Sequence, residues 1–221
     1  MFNAAINHLK KVLKKWVLHW TLWIMIIDEN ILLTRGAVYK KILKGDVIFK
    51  EGAACHFYFQ LVEGSISWEN YYNDGKLFVQ QIIQPWECFG DLPLFDGLPY
   101  AASAVANENS VILQLHEFTF NELLKERQDI LFAFSKLLAI RVREKFFMLK
   151  ELACHTPVEQ IIALLYLYKE KSCEVLAVTP LRINYTRQQI ADMTGLRVET
   201  VIRIIKKLSK EGKKKKKKGK V

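Results

Sequence analysis

The stretch from Ile130 to Ala153 contains neither glycine nor proline and no cluster of turn formers. Such a run reads as one helix of about 36 Å. What precedes it has the opposite character, and the contrast fixes the class of fold. From about 37 to 120, short apolar runs alternate with turn residues. Val38 to Leu43 ends at Lys44-Gly45-Asp46, Val47 to Phe49 runs to Glu51-Gly52, and Phe57 to Val62 stops at Glu63-Gly64. Ser65 to Trp68 alternates polar and apolar, and a last run covers 110–115. Asn73-Asp74-Gly75, between Tyr71-Tyr72 and Leu77-Phe78-Val79, predicts a hairpin whose second strand extends to Ile83. Glycine tolerates the positive φ that such a turn demands. Many short strands followed by helices describe an α+β chain, with a β-sandwich or roll first.

The predicted helix is apolar on more than one side. Ile130, Phe134, Leu137, Leu138, Val142, Phe146, Leu149 and Leu152 form one stripe, and Leu131, Phe132, Ile140, Phe147 and Met148 lie off it. A helix apolar on two sides needs two covers, here expected to be the β unit and a second copy of the same helix. Cys154-His155 breaks the pattern, and Thr156-Pro157-Val158-Glu159 restarts it. There the threonine hydroxyl can cap, proline suits the first helical position and glutamate completes a capping box. The domain boundary is expected at this break. Cys154 and His155 are not read as catalytic, because sequence neighbours point apart and no orienting carboxylate is evident.

The net charge of +10 is unevenly spread. Residues 1–155 hold 17 basic and 17 acidic side chains, whereas residues 156–221 hold 16 and 6. A neutral body joined to a basic end implies a polyanion partner met by one part of the chain. The 51% apolar composition is enough for two compact units. Cysteines at 55, 88, 154 and 173 offer no CxxC zinc pair, no iron–sulfur cluster set and no compact disulfide scaffold. That pattern points to a reduced, cytoplasmic setting. Trp16 to Ile27 is apolar and follows four lysines, yet as a helix it would span only about 18 Å of a hydrocarbon core of about 30 Å. Asp28-Glu29-Asn30 stands where a cleavable leader needs small residues. Leu9, Leu13, Trp16, Trp20, Trp23 and Ile27 recur at helical spacing, so the expectation is an amphipathic helix on the body, with no membrane partner.

The segment from Thr186 to Ile205 carries the strongest functional signal. Thr186 with Gln189 is a second capping box, Ile190 and Ala191 lie on a first short helix, and Gly195 supplies a left-handed turn residue. Leu196, Val201, Ile204 and Ile205 are the expected buried face of a second helix. Small, glycine and β-branched residues at these offsets are what a helix-turn-helix requires. On the second helix Glu199 and Arg203 are four apart and share an outward face near the helix start. Arginine can bond guanine O6 and N7, and glutamate accepts from cytosine N4. Val198 and Ile202 flank the pair and suit thymine methyl groups, while Arg197, Thr200 and Arg187 are candidate DNA contacts of the positioning kind.

Strands, a long helix and a basic helix-turn-helix, in that order, resemble the Crp/Fnr family of bacterial transcription regulators over roughly 38–212. The marks are Gly45-Asp46-Val47-Ile48 with Glu51-Gly52, then Val62-Glu63-Gly64-Ser65, Phe89-Gly90-Asp91-Leu92 with Leu94-Phe95, Asp129-Ile130-Leu131, and Thr186-Arg187-Gln188 through Glu199-Thr200-Val201 with Arg203. The resemblance implies a cyclic-nucleotide-binding-type β-roll, a dimerisation helix and a C-terminal winged helix-turn-helix. It implies a homodimer on a near-palindromic double-stranded DNA site, an effector sensed in the roll, and contact with RNA polymerase. The corresponding segments are an N-terminal helical segment 1–36, the roll 37–128, the dimerisation helix and hinge 129–155, and the DNA-binding part 156–221.

The effector does not carry over. Gly90, Asp91 and Leu92 keep the start of the family's nucleotide motif, with aspartate one methylene short for a ribose contact. The family's phosphate-binding arginine falls at Tyr100 or Ala101, and no Lys or Arg occurs in 77–124. A buried phosphate without a cationic partner is hard to stabilise. Purine contacts would fall near Lys145 and Phe146. Cyclic AMP in the usual mode is therefore not expected. No cysteine precedes Cys55, so no iron–sulfur cofactor is expected, and His19, His56, His116 and His155 form no haem-ligand pattern. A metal-dependent enzyme on a similar roll would need clustered histidines, and 37–120 holds only His56 and His116. After Lys210-Glu211-Gly212 the family places an apolar β-hairpin wing. Lys213 to Lys218 cannot bury anything, so the wing is expected to be degenerate. The alternative function is a small-molecule or partner-protein sensor whose DNA binding is weak or non-specific.

Overall fold

A computed structural model describes residues 26–72, 75–154, 156–173 and 185–218. The expected N-terminal helical stripe lies outside these except for Ile27, as do Asn73, Asp74 and His155. The chain divides into two compact units within one helix, between Val142 and Arg143.

The first unit opens with α1 (Glu29–Thr34), whose start is fixed by the Asp28 carboxylate accepting the Asn30 N–H at 2.9 Å. Eight strands follow: β1 (Val38–Ile42), β2 (Val47–Phe49), β3 (Phe57–Glu63), β4 (Ile66–Tyr71), β5 (Leu77–Ile83), β6 (Cys88–Phe89), β7 (Ser103–Ala106) and β8 (Ser110–His116). Helix α2 (Leu92–Asp96) sits between β6 and β7, and α3 (Glu117–Glu126) follows β8. The strands form two antiparallel four-stranded sheets, ordered β1-β8-β3-β6 and β2-β7-β4-β5. The expected hairpin is present, with Ile66 opposite Ile83 and Tyr71 opposite Leu77.

Two cores meet across the first sheet. Phe49, Phe59, Leu61, Ile66, Ile83, Phe89, Tyr100 and Ile112 pack together in one cluster. Tyr58, Leu113 and Leu115, whose side chains point to the opposite face, join Phe120, Leu123, Ile130 and Phe134 of the helices in another. Strand β3 is thus buried on both faces, which is why its sequence runs on as Phe-Tyr-Phe-Gln-Leu-Val rather than alternating. Its one polar interior residue is satisfied: Gln60 accepts from Tyr58 at 2.8 Å and donates to the Ile27 carbonyl at 3.3 Å.

Helix α4 (Gln128–Cys154) is the predicted long helix, opening one residue before Asp129. The residues expected to share one stripe are divided along it. Ile130 and Phe134 are buried, whereas Val142, Phe146 and Leu149 are exposed, Phe146 by 69%. Phe132, expected off the stripe, is exposed with them. Positions 132, 139, 142, 146 and 149 follow a seven-residue spacing. A straight helix of 3.6 residues per turn drifts away from that spacing by about 20° per heptad. One apolar stripe, with Ile130 and Phe134, packs on the roll, and a second, from Phe132 to Leu149, is exposed.

The second unit contains residues 143–154 of α4, then α5 (Pro157–Cys173), α6 (Arg187–Thr194) and α7 (Val198–Lys218). Ile162 and Ala163 pack with Phe147, Val158 and Leu208. At the start of α5 the Glu159 carboxylate accepts both the Thr156 N–H at 2.9 Å and the Thr156 hydroxyl at 2.8 Å, the first of these being the glutamate arm of the expected capping box. No β-hairpin follows the second helix of the motif among the described residues: α7 continues through the lysine run.

Candidate nucleic-acid interface and roll interior

The helix-turn-helix is built by local bonds that its sequence specifies. Thr186 Oγ1 accepts the Gln189 N–H at 3.1 Å and Gln189 Oε1 accepts the Thr186 N–H at 2.9 Å, closing the capping box at the start of α6. Gly195 ends that helix at φ +68°. A Cβ there would meet nothing within 4 Å, so glycine is needed for its backbone and not for space. The Arg197 carbonyl then accepts from Thr200 and Val201, starting α7. Ile190, Ala191, Met193, Val201 and Ile204 are buried, and the buried Thr194 hydroxyl donates to the Ile190 carbonyl at 2.6 Å. Leu196 and Ile205, expected in the buried face, are only half-buried.

Of the expected contact residues, Arg187, Arg197, Glu199 and Arg203 are exposed. Val198, Thr200 and Ile202 are half-buried. Lys206, Lys207 and Lys210 are also exposed. Positions 199, 203, 206 and 210 recur at four, three and four residues, so they share one face of α7.

The roll interior departs from expectation. Gly90 lies at φ +66°, and a Cβ there would fall 2.6 Å from the Phe49 ring and 3.2 Å from Tyr100. Phe49 and Tyr100 are stacked, with ring centroids 3.8 Å apart and planes within 9°. Phe49 also stacks near Phe59 and Phe89. Tyr100, one of the two positions at which the resemblance places a phosphate-binding arginine, is 5% exposed and donates its hydroxyl to Cys55 Sγ at 3.1 Å. Burial, and then that bond, pushes its phenol well above the ordinary range. Ala101 is exposed and Leu92 is 37% exposed.

Asp91 is fully buried and is held by Arg141 of α4, whose guanidinium reaches its two oxygens at 2.7 and 2.8 Å. The same guanidinium donates to the Cys88 carbonyl at 2.6 Å and lies 5.9 Å from the centre of the Trp68 ring. Burial opposes the charge on Arg141, yet the Asp91 carboxylate holds its pKa above the usual arginine value. Burial pushes the neighbouring Cys88 thiol up to about 12. A cationic partner therefore does reach the Gly90-Asp91-Leu92 motif, from outside the 77–124 window in which the sequence shows none. The sequence hides Arg141, because it is embedded in the apolar helix pattern between Ile140 and Val142. Lys145 and Phe146, the expected purine contacts, are exposed and belong to the second unit.

Comparison with known proteins agrees with this architecture. A cyclic nucleotide-binding domain model matches residues 39–127, and a Crp-like helix-turn-helix domain model matches residues 159–221. No curated protein matches the chain. Among solved structures, FixK2 from Bradyrhizobium japonicum is 21% identical with a TM-score of 0.70, the match covering 80% of this chain and 86% of that one. The c-di-GMP responsive regulator CLP from Xanthomonas campestris is 16% identical with a TM-score of 0.68, covering 83% and 93%. A CooA variant from Carboxydothermus hydrogenoformans is 16% identical with a TM-score of 0.67, covering 86% and 84%. These likenesses establish the shared fold. With both domain models matched in order, the chain belongs to the Crp/Fnr family of DNA-binding transcription regulators.

Proposed function

We propose that this regulator reads a near-palindromic double-stranded DNA site as a homodimer, one α7 helix entering the major groove of each half. The observation that carries this is the exposed Glu199–Arg203 pair, two successive outward positions on a helix whose other faces are fixed by the capped α6 and the Gly195 turn. Arg203 bonds a guanine and Glu199 the cytosine amino group. Arg187, Arg197 and Thr200 hold phosphates, and the half-covered Val198 and Ile202 offer edges to thymine methyl groups. The exposed apolar positions Phe132, Val142, Phe146 and Leu149 supply the seam to the second copy. Cytoplasmic action, contact with RNA polymerase and the absence of a catalytic role follow from the same reading.

The roll works without cyclic AMP in the usual mode, and without an iron–sulfur cluster or haem. In support, its own Tyr100 and Phe49 fill the space beside Gly90, and its own Arg141 takes the Asp91 carboxylate. The deciding experiment is selection of bound sequences from a random DNA pool at near-physiological salt, with Arg203→Ala alongside. A two-fold site with a G·C pair in each half is expected. In the variant, affinity for that site falls by about 1–3 kcal/mol and preference relaxes at that pair. Binding without any recovered motif, vanishing as salt rises, would leave the sensor with non-specific DNA affinity as the better description.

A further inference from the structure

The basic character of α7 does not stop where a groove-reading helix normally ends. The helix runs for 21 residues, Val198–Lys218, a length of about 31 Å, whereas the major groove is about 12 Å wide. The face that presents Glu199 and Arg203 goes on to present Lys206 and Lys210, both exposed. By helical spacing, positions 213 and 217 continue that face, and both are lysine within the run Lys213 to Lys218. Six consecutive lysines repel one another along a helix. Two influences favour the helix nonetheless: cations suit a helix C-terminus, and an opposing row of phosphates would neutralise the repulsion.

We propose that the second half of α7 is a separate DNA contact, a lysine-bearing extension that leaves the groove and lies against the sugar–phosphate backbone flanking each half-site. It stands where the family carries its wing. This rests on the DNA-binding role proposed for the helix-turn-helix and gives the extension a part of its own, adding affinity and salt dependence without adding base preference. Each phosphate neutralised steepens the dependence of log K on log salt by about 0.9. Two to four contacts per extension would thus change affinity by roughly 10- to 150-fold over a fourfold change in salt.

The test compares the full chain with a variant in which Lys213 through Lys218 are all replaced by glutamine, a residue of similar helix propensity. Binding is measured to the selected site carrying either short or long flanks of arbitrary sequence, across a salt series. Circular dichroism of each protein, free and with DNA, runs in parallel. The wild type is expected to bind the long-flanked site more tightly, with a slope steeper than the variant's by two or more, and both proteins are expected to keep the same helix signal. The variant is expected to recover the same base motif and to be indifferent to flank length. Equal slopes and equal flank dependence in the two proteins would overturn the extension while leaving the groove-reading role intact. Failure of both proteins to select any motif would instead remove the role on which the extension rests.

Discussion

Arg141 and Arg203 stand in opposite circumstances, and the contrast separates the two halves of the molecule. Arg141 is 12% exposed, bonded to a fully buried carboxylate and to a backbone carbonyl. Arg203 is open to solvent on a helix that fixes only its direction. The charge of Arg141 is committed to internal structure. That of Arg203, in the helix-turn-helix, is held out for something else to neutralise. A buried guanidinium whose donors are already engaged is poorly placed to take a phosphate, because an incoming anion must first displace Asp91. An exposed one needs no such exchange.

The contrast is broken most forcefully at Arg141. Arg141→Ala leaves the Asp91 carboxylate buried without its partner and should cost about 3–5 kcal/mol. The double variant Asp91→Leu/Arg141→Met should recover most of that, since paired buried charges exchange for apolar side chains at little net cost. Denaturant unfolding of the three proteins checks both statements. A single-variant loss below about 1 kcal/mol would show that the pair does not hold α4 to the roll. Next comes Gly90→Ala, which places a methyl group 2.6 Å from the Phe49 ring at a left-handed φ. An overpacking loss of about 1–3 kcal/mol is expected in thermal or denaturant unfolding. Thr186→Ala removes one arm of the capping box and should cost about 1 kcal/mol. DNA affinity measured at a temperature where the variant is fully folded should stay close to wild type.

The smallest effect is in the acid limb. Hydrogen bonding from Arg127 lowers the Asp129 carboxyl to about 2. Its folded value lies below its unfolded value of about 3.8. The stabilisation is therefore complete above roughly pH 4 and disappears as pH falls toward 2. Asp129→Asn should flatten the stability profile in that window, lowering stability slightly at neutral pH and leaving it unchanged near pH 2, as followed by unfolding at a series of pH values.

What is legible in the sequence is what repeats locally. The hairpin around Gly75, the capping box at Thr186 and Gln189, and the turn at Gly195 are decided by residues within a few positions of each other. Elements too short or too plain to show a period stay hidden. Strand β6 has two residues, and β7, Ser-Ala-Val-Ala, holds alanines that favour strands weakly. Ala104 and Ala106 are nevertheless wholly or almost wholly buried inside the roll. The Asp28-Glu29-Asn30 triplet, which in the sequence stands out only as unfit for leader cleavage, is the start of α1. The least legible feature is the site itself. Arg141 and Asp91 are 50 residues apart, and nothing in either neighbourhood announces the other. The resemblance locates the Gly90-Asp91-Leu92 motif, but only packing shows that Phe49 and Tyr100 close over it.

That closure bears on how such a protein would be controlled in a cell. Phe49 and Tyr100 stack beside Gly90; were the roll to take no ligand, its output would track how many copies are made. If each functional unit must be assembled from two chains, the amount of dimer at low abundance rises with the square of chain number. A modest change in synthesis or proteolysis would then act as the switch. Trimming the Phe49–Tyr100 stack would, in that case, open room beside Gly90.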